Sequence, residues 1–363
     1  MMPADIARMR LVNQRLIGVP FSQPTDVVSW LGAVQAQDYA GAKWALAQRC
    51  PPGVTNAQID ALFNDGKILR THVMRSTWHF VAPDDLRSLL KLTAPRVHQL
   101  NAYMYRKLEL DAAIFRRSET VIEKALRGGH ALTRDELGDI LKKARIVASG
   151  HRLAYIAMHA ELESLVCSGP LRGKQFTYAL LEERAPEGKA FKREGALAEL
   201  ARRFFISHGP AQIQDFAWWS GLTVTDARAG LELSKDHLTS EVVDGKTFWF
   251  EAVSPKAVKT RDDPLVHLLP NYDELFIAYR DNRAAMLPEV LKRLKDDPDA
   301  LGVHIIAHNG NVAGGWRRTV GKREILLTTN ILMPFSKRDR AALTRAAEAY
   351  GRFMELPVKV LAP

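Results

Sequence analysis

The sequence predicts a mixed α+β protein, in which a unit of helices and a β-hairpin occurs three times and a small antiparallel β-sheet or β-barrel follows. The first observation is a set of capped helices whose apolar residues recur at intervals of three and four. The second is a pair of extended segments around a turn after each set of helices. The third is a change to consecutive strands from about Leu265 onward. Helix, helix and hairpin is the order of a winged-helix domain.

The first unit, residues 1–95, contains the clearest helix signal near its start. Thr25 can cap a helix whose apolar stripe extends to Val34. Residues 68–73 and 77–81 then alternate with period two around a short turn, which predicts a hairpin.

The second and third units, residues 96–190 and 191–262, repeat this order. Thr133 and Glu136 form a capping box at the start of one helix. A longer helix over about 151–165 precedes a predicted wing over 171–181. In the third unit, Asp244-Gly245 has the composition that a type I′ hairpin turn requires.

The last part, residues 263–363, is predicted to consist mainly of strands, with a boundary at Asp262-Asp263-Pro264. Asn309-Gly310 has the composition of a hairpin turn between two of these strands. A helix capped by Ser336 and a final strand end the pattern. The strands are expected at residues 265–269, 303–308, 312–318, 324–330 and 357–361.

The charge of the chain favours a polyanionic partner. There are 51 Lys and Arg against 41 Asp and Glu, a net charge of +10. Between Arg96 and Arg152 we count twelve basic and seven acidic residues, so this stretch supplies half of the excess. Double-stranded DNA is the expected partner, although solvated helix faces would also explain interspersed charges.

Several classes of protein are excluded. With only Cys50 and Cys167, neither a disulfide framework nor a thiolate zinc site can form. No stretch has the length and apolar character of a membrane span, and no cofactor motif occurs. We therefore expect no cofactor, no metal site, and a cytoplasmic, nucleoid-associated location.

Several motifs make the family recognisable. Five segments carry this signal, and they are spread over most of the chain: residues 33–38 (AVQAQD), 70–79 (RTHVMRSTWH), 209–222 (GPAQIQDFAWWSGL), 268–274 (LLPNYDE) and 314–318 (GGWRR). In these segments the chain resembles the AlkZ-type winged-helix DNA glycosylases.

The resemblance implies three winged-helix units in a C-shaped arrangement with DNA on the concave, basic face. It also implies hydrolysis of the N-glycosidic bond of alkylated purines and, in some members, unhooking of interstrand crosslinks. The family motif is glutamine, a small or aliphatic residue, then glutamine or aspartate. Gln35 and Gln37 match its two-glutamine form, with Ala36 between them.

Two carboxamides suit this chemistry. An alkylated purine already carries a positive charge, so it can leave without a strong acid, and the sugar becomes oxocarbenium-like. Gln35 and Gln37 can then orient a water molecule at C1′. Residues two apart share a side only in extended backbone, so the helix capped by Thr25 has to end before Gln35. Asp38 is expected to cap a helix or form an ion pair.

Other polar residues are candidates for DNA contact. On the first hairpin, Arg70, His72 and His79 are expected to face one side and Trp78 the other. The complete candidate set is Arg70, His72, Arg75, His79, Arg152, Arg172 and Lys174. Asp273, Glu274, Arg280 and Arg283 are expected to form a structural ion-pair network, and Trp218 and Trp219 to lie in the core.

Three hypotheses compete at this point. The first is a DNA repair glycosylase that acts as a monomer without an obligatory protein partner. The second is a catalytically silent winged-helix DNA-binding protein such as a regulator, for which the three units and the net charge of +10 would suffice. The third is a protein-interaction scaffold.

Overall fold

The computed structural model describes residues 3–185, 191–251, 264–281 and 286–361, and they form a mixed α+β architecture. Part of the expected boundary, Asp262-Asp263, lies outside these residues, and so does Arg283. Among the described residues, no helix combines the length and the apolar character that crossing a membrane requires.

The first unit has a strand that the sequence patterns did not reveal. Helix α2 starts at Pro24 after the N-cap residue Gln23, so the prediction that Thr25 caps it is wrong. It ends at Leu31 because Gly32 adopts a positive φ of 81°, and the chain then enters a short strand. The elements are α1 (Pro3–Asn13), α2 (Pro24–Leu31), β1 (Val34–Gln35), α3 (Tyr39–Ala47), α4 (Asn56–Asn64), β2 (Leu69–Val73) and β3 (Thr77–Val81).

These strands form a sheet in the order β1-β3-β2, so the short β1 lies beside the second strand of the predicted hairpin. Val34 pairs with Phe80 and Gln35 with His79. The hairpin itself is confirmed.

The second unit repeats the order helix, strand, helix, helix, hairpin, with the sheet order β4-β6-β5. The capping box of Thr133 and Glu136 is confirmed. The predicted wing begins earlier than expected, at Val166. The elements are α5 (Pro83–Lys107), which leads into the unit, α6 (Ala112–Leu126), β4 (Leu132–Thr133), α7 (Arg134–Lys143), α8 (Gly150–Leu162), β5 (Val166–Ser168), β6 (Thr177–Leu180) and α9 (Leu181–Arg184).

The third unit has the same order in a reduced form. Ala211 forms a single bridge with Trp249, at the place that a short strand occupies in the other two units. The hairpin around Asp244-Gly245 is confirmed. The elements are α10 (Arg193–His208), α11 (Ile213–Ser220), α12 (Val224–Ser234), a 3₁₀ turn (Lys235–His237), β7 (Thr239–Val243) and β8 (Lys246–Phe250).

The C-terminal part contains a five-stranded sheet in the order β13-β12-β11-β10-β9. It is antiparallel except that β13 runs parallel to β12, because α15 connects these two strands as a crossover. The expectation of an antiparallel sheet is therefore wrong for its last strand. The elements are β9 (Val266–Leu269), α13 (Glu274–Ile277), α14 (Pro288–Asp296), β10 (His304–His308), β11 (Asn311–Val320), β12 (Ile325–Ile331), α15 (Lys337–Met354) and β13 (Val358–Leu361).

The first unit contributes to two large apolar clusters. On one side, Leu69 and Val73 pack in a cluster with Phe204 and Trp219 of the third unit. On the other side, a second cluster combines side chains of α2, α3 and α4 with Trp316 and the inner face of α15. Removal of this apolar surface from water is the main force that holds the parts together.

A buried ion pair adds a polar link between the first unit and the C-terminal part. The guanidinium of Arg49 donates to both carboxylate oxygens of Asp273, at 2.9 and 3.0 Å. Arg49 also donates to the backbone and side chain of Gln14 in the loop after α1. Both charged side chains are essentially inaccessible to solvent.

Replacement of Asp273 by Asn is expected to lower the free energy of unfolding by about 3 kcal/mol, because the Arg49 charge would stay buried without its partner. Urea denaturation followed by circular dichroism measures this change. Lys235→Ala, which removes an exposed ion pair with Glu232, should leave the midpoint unchanged. Equal midpoints for wild type and Asp273→Asn would contradict the prediction.

Candidate active site

The two glutamines lie where extended backbone replaces the end of helix α2. Gln35 belongs to β1, and the Ala36 amide continues the pairing by donating to the Trp78 carbonyl at 2.7 Å. The condition that the helix ends before Gln35 is therefore confirmed. Gln37 lies two residues further along the chain, at a bend between β1 and α3. Gln35 is largely buried, whereas Gln37 is exposed and its side-chain Oε1 accepts from the Trp78 amide at 3.4 Å.

Arg75 orients the side chain of Gln35. Its Nη2 donates to Gln35 Oε1 at 2.8 Å, and its Nη1 donates to the carbonyls of Trp218 and Trp219 at 3.1 and 2.9 Å. Those carbonyls are near the C-terminus of α11, where a cation is favourable. The turn of the first hairpin thus contacts the third unit and Gln35 together. Gly221 follows α11 with a φ of +70°, and a Cβ there would lie 2.7 Å from the Met74 carbonyl oxygen.

A buried carboxylate holds the backbone of Gln35. Glu274 Oε1 accepts from the Gln35 amide at 2.9 Å, and Oε2 accepts from Trp219 Nε1 at 2.9 Å. His208 Nε2 lies 3.4 Å from the same Oε2. Burial opposes ionisation of Glu274, but the contacts with His208 and the Gln35 amide outweigh it and lower its pKa. Glu274 is therefore an anion directly behind Gln35.

His79 lies on the same side of the sheet as Gln35. Its Nδ1 donates to the Thr77 carbonyl at 2.8 Å, and its Nε2 is buried without a hydrogen-bond partner among the described residues. Burial and the nearby Arg75 charge lower the pKa of His79 to about 4. The imidazole is therefore neutral at physiological pH.

The expectation about the faces of the first hairpin is wrong for His79 and Trp78. The strand register pairs Thr71 with His79 and His72 with Trp78. Because directly paired residues share a face, Trp78 lies with Arg70 and His72, while His79 lies on the opposite face. An odd number of residues in the turn produces this register.

The face that carries Trp78 is turned toward the second unit. Arg70 lies between two aromatic rings, 4.3 Å from the centre of Trp78 and 4.5 Å from that of Phe176, and burial lowers its pKa to about 10. His72 Nδ1 contacts the carboxylate of Glu161 on α8, and both side chains are buried. A cavity of about 310 Å³ adjoins these groups and is lined also by Arg134, Asp135 and the wing residues 174–178 of the second unit.

The predicted cations of the second unit differ in their contacts. Arg152 donates to the carbonyls of Val147 and Leu108, and Arg172 donates to Glu136 and to the Ala131 carbonyl. Lys174, in contrast, is exposed at the tip of the wing and lines the cavity. The structure does not bring these three cations to the glutamines, and their contact with DNA stays a prediction.

The remaining expectations are met in part. Asp38 caps α3, accepting from the Gly41 amide, and lies 3.8 Å from Arg318, as expected. Asp273 pairs with Arg49, just after α3, and not with Arg280 as expected.

The two tryptophans of α11 differ in exposure. Trp219 is buried, as expected, but Trp218 is 44% exposed. The prediction that Trp218 lies in the core is therefore wrong.

The sequence motifs did not reveal the role of Glu274 as the partner of Gln35. It follows a turn signal that begins at Pro270, and it is 239 residues away from Gln35 in the sequence. The PNYDE segment was the available signal, but it could not identify the partner.

The sequence matches the family model described as DNA glycosylase AlkZ-like over residues 28–353. The chain belongs to the AlkZ-like DNA glycosylase family. This membership makes it a DNA repair enzyme, a hydrolase of the bond between base and sugar. The hypotheses of a silent regulator and of a protein-interaction scaffold are therefore dropped as the principal function.

A solved structure agrees with this fold. The Streptomyces sahachiroi DNA glycosylase AlkZ superimposes on this glycosylase with a TM-score of 0.79 at 20% sequence identity, covering 99% of this chain and 100% of the other. A search among curated proteins found no match.

The free energy of unfolding of this glycosylase is expected to fall as the pH decreases from about 6.5 to about 4. The pKa of His79 is about 4 in the folded chain and near 6.5 in an unfolded one, so the unfolded state binds more protons in this window. His79 contributes about 3 kcal/mol to the free energy of unfolding. This contribution is complete above about pH 6.5 and is lost as the pH falls to about 4.

Urea denaturation of wild type and His79→Asn at about pH 7, 5.5 and 4.5 checks this. The variant should show a shallower pH dependence, though not a flat one, because burial also lowers the pKa of His304 to about 4. If the free energy of unfolding changes equally with pH in wild type and His79→Asn, the contribution of His79 is ruled out.

Proposed function

We propose that this glycosylase releases alkylated purines, including those in interstrand crosslinks, from double-stranded DNA, with water positioned by Gln35 and Gln37. The observation that carries the proposal is the position of Gln35 on the extended backbone of β1, where Glu274 accepts from its amide and Arg75 donates to its side chain.

Release of an alkylated purine requires neither a strong acid nor a strong base from the protein. An N7- or N3-alkylated purine is a cationic leaving group, and the bond to C1′ breaks with positive charge building on the sugar. The two carboxamides orient the attacking water, and proximity supplies much of the rate. His79, which pairs with Gln35 in the sheet, is neutral and therefore adds no further positive charge near the sugar.

The contacts of Gln35 suggest how it acts. One lone pair of Oε1 accepts from Arg75, which leaves the other lone pair and the Nε2 hydrogens for water and the nucleotide. Ionised Glu274 lies on the other side of the Gln35 peptide, in a region from which water is excluded. Its negative charge favours a transition state that is positive on the sugar.

Arg75, first proposed as a DNA contact, becomes a positioning residue in this scheme. Three of its hydrogen bonds are made within the protein. It couples the orientation of Gln35 to the docking of the third unit on the first hairpin.

The recurring order of elements supports a winged-helix interpretation of the three units. In each, a short extended segment pairs with the last strand of the hairpin: β1 with β3, β4 with β6, and Ala211 with Trp249. We propose that the units form a C-shaped clamp that binds duplex DNA as a monomer, without an obligatory protein partner, on the nucleoid in the cytoplasm.

Within this clamp, Lys174 is the cation that we assign to a DNA phosphate. It is exposed, and it adjoins the cavity that Arg70 and Trp78 line from the first unit. Arg152 and Arg172 are held by carbonyls and by Glu136, so we assign them mainly to shaping this surface.

Gln35→Ala and Gln37→Ala are each expected to slow base release by about 100-fold while DNA affinity is kept. The assay uses a duplex with one N7-methylguanine, single-turnover conditions, and alkali to cleave the abasic site; anisotropy gives the affinity. A second duplex with an N7-alkyl crosslink tests the wider substrate range. Arg75→Lys should also slow base release. Lysine keeps the positive charge but lacks the planar guanidinium that donates to Gln35 and to the two tryptophan carbonyls at once.

Gln99→Ala, at an exposed position of α5, is the matched control and should release base at the wild-type rate. If both glutamine variants keep full activity, the catalytic assignment fails. If wild type releases neither alkylated base, the substrate assignment fails, whereas membership of the glycosylase family is unaffected.

Lys174→Ala is expected to weaken binding to undamaged duplex and to reduce the slope of log K against log salt concentration by about 1, as loss of one phosphate contact requires. Anisotropy titrations at several salt concentrations measure the slope. Lys235→Ala, whose charge is balanced by Glu232, should leave the slope unchanged. An unchanged slope for Lys174→Ala would remove this residue from the DNA interface.

A further inference from the structure

A second polar cluster lies between helices α5 and α8, apart from the glutamines. It consists of His98 on α5, His159 on α8 and Glu163 immediately after α8. Potential ligand atoms of these three residues all lie within 4.8 Å of one another. His98 Nε2 is 3.0 Å from Glu163 Oε1, and the two imidazole centres are 4.9 Å apart.

Neighbouring groups hold both imidazoles by Nδ1. His98 Nδ1 is 2.9 Å from the Tyr105 hydroxyl, and His159 Nδ1 is 2.7 Å from Glu119 Oε1. When each Nδ1–H donates to its oxygen, the Nε2 lone pairs are free to bind an ion. A carboxylate or hydroxyl on the far nitrogen is the usual support of a metal-bound histidine.

The ring of His159 is also fixed by stacking. Phe115 packs against it with ring centres 3.7 Å apart and an interplanar angle of 12°. An imidazole that is held by both a hydrogen bond and an aromatic face loses little freedom when it binds an ion, which lowers the cost of ligation.

We propose that His98, His159 and Glu163 bind one divalent transition-metal ion, with Zn²⁺ as the best fit. Two imidazole nitrogens and one carboxylate oxygen are a typical zinc donor set, with water in the fourth position. Tetrahedral ligands with bonds of about 2.0 Å lie about 3.3 Å apart, so small side-chain rotations complete the site. The ion enters from solvent, because the Glu163 side chain is half exposed.

The place of this site indicates a structural role. Helix α5 leaves the first hairpin directly, and α8 also carries Glu161, the partner of His72 on β2. An ion that bridges α5 and α8 therefore strengthens the junction between the first and second units. It is separate from Gln35 and Gln37 and takes no part in base release.

The test uses the full chain, purified without a histidine tag and treated with chelator. Co²⁺ serves as the spectroscopic probe, followed by competition with Zn²⁺, and elemental analysis measures the stoichiometry. We expect one ion per chain, a visible absorption band of low-symmetry Co²⁺, and a higher melting temperature with Zn²⁺. His159→Gln should lose the band, and Glu119→Gln should weaken binding by about 10-fold or more.

His151→Asn, at an exposed histidine in the first turn of α8, is the matched control and should keep the band and the affinity. Circular dichroism establishes that each variant is folded. The proposal is overturned if wild type binds no Co²⁺ or Zn²⁺ at micromolar concentration, or if His159→Gln binds as tightly as wild type. If wild type binds neither ion, the cluster consists only of two His–Glu contacts, His98 with Glu163 and His159 with Glu119.

Discussion

The buried carboxylate of Glu274 is the interaction on which the candidate active site depends. It comes from the C-terminal part, accepts from the Gln35 amide of the first unit, and accepts from Trp219 of the third unit. A buried charge is tolerated only when such donors surround it, so these three parts have to pack together before Glu274 is satisfied. The same packing brings Arg75 to Gln35. The site is therefore assembled by tertiary contact and not by any single unit.

The adjacent Asp273 extends this polar core toward α3. Its pair with Arg49 is as deeply buried as Glu274, and the two acidic residues are consecutive in the chain. At the start of the short helix α13, the carboxylate of Asp273 forms the ion pair with Arg49, and the carboxylate of Glu274 accepts from the backbone amide of Gln35.

Much of the architecture could be predicted from the sequence because its signals are local. The hairpin turns, the capping box at Thr133, the helix cap at Ser336 and the strands after Leu265 depend on neighbouring residues. The end of helix α2 before Gln35 was also expected. Strand β1 was not found, since two residues of strand carry no periodicity, and the faces of the first hairpin required the register across its turn. The expectation of no metal site rests on residue spacing in the sequence, and such spacing does not reveal that His98 on α5 and His159 on α8 are close in the fold.

The sequence by itself determined the family, the mixed α+β class and the identity of the two glutamines, because these are carried by contiguous motifs and local patterns. Only the tertiary structure decided which groups surround those glutamines. Glu274, Arg75 and His79 reach Gln35 through contacts between distant parts of the chain, and no periodicity records which buried charge meets which amide. Burial, which sets the pKa of His79 and keeps Glu274 from water, is likewise a property of the packed molecule alone.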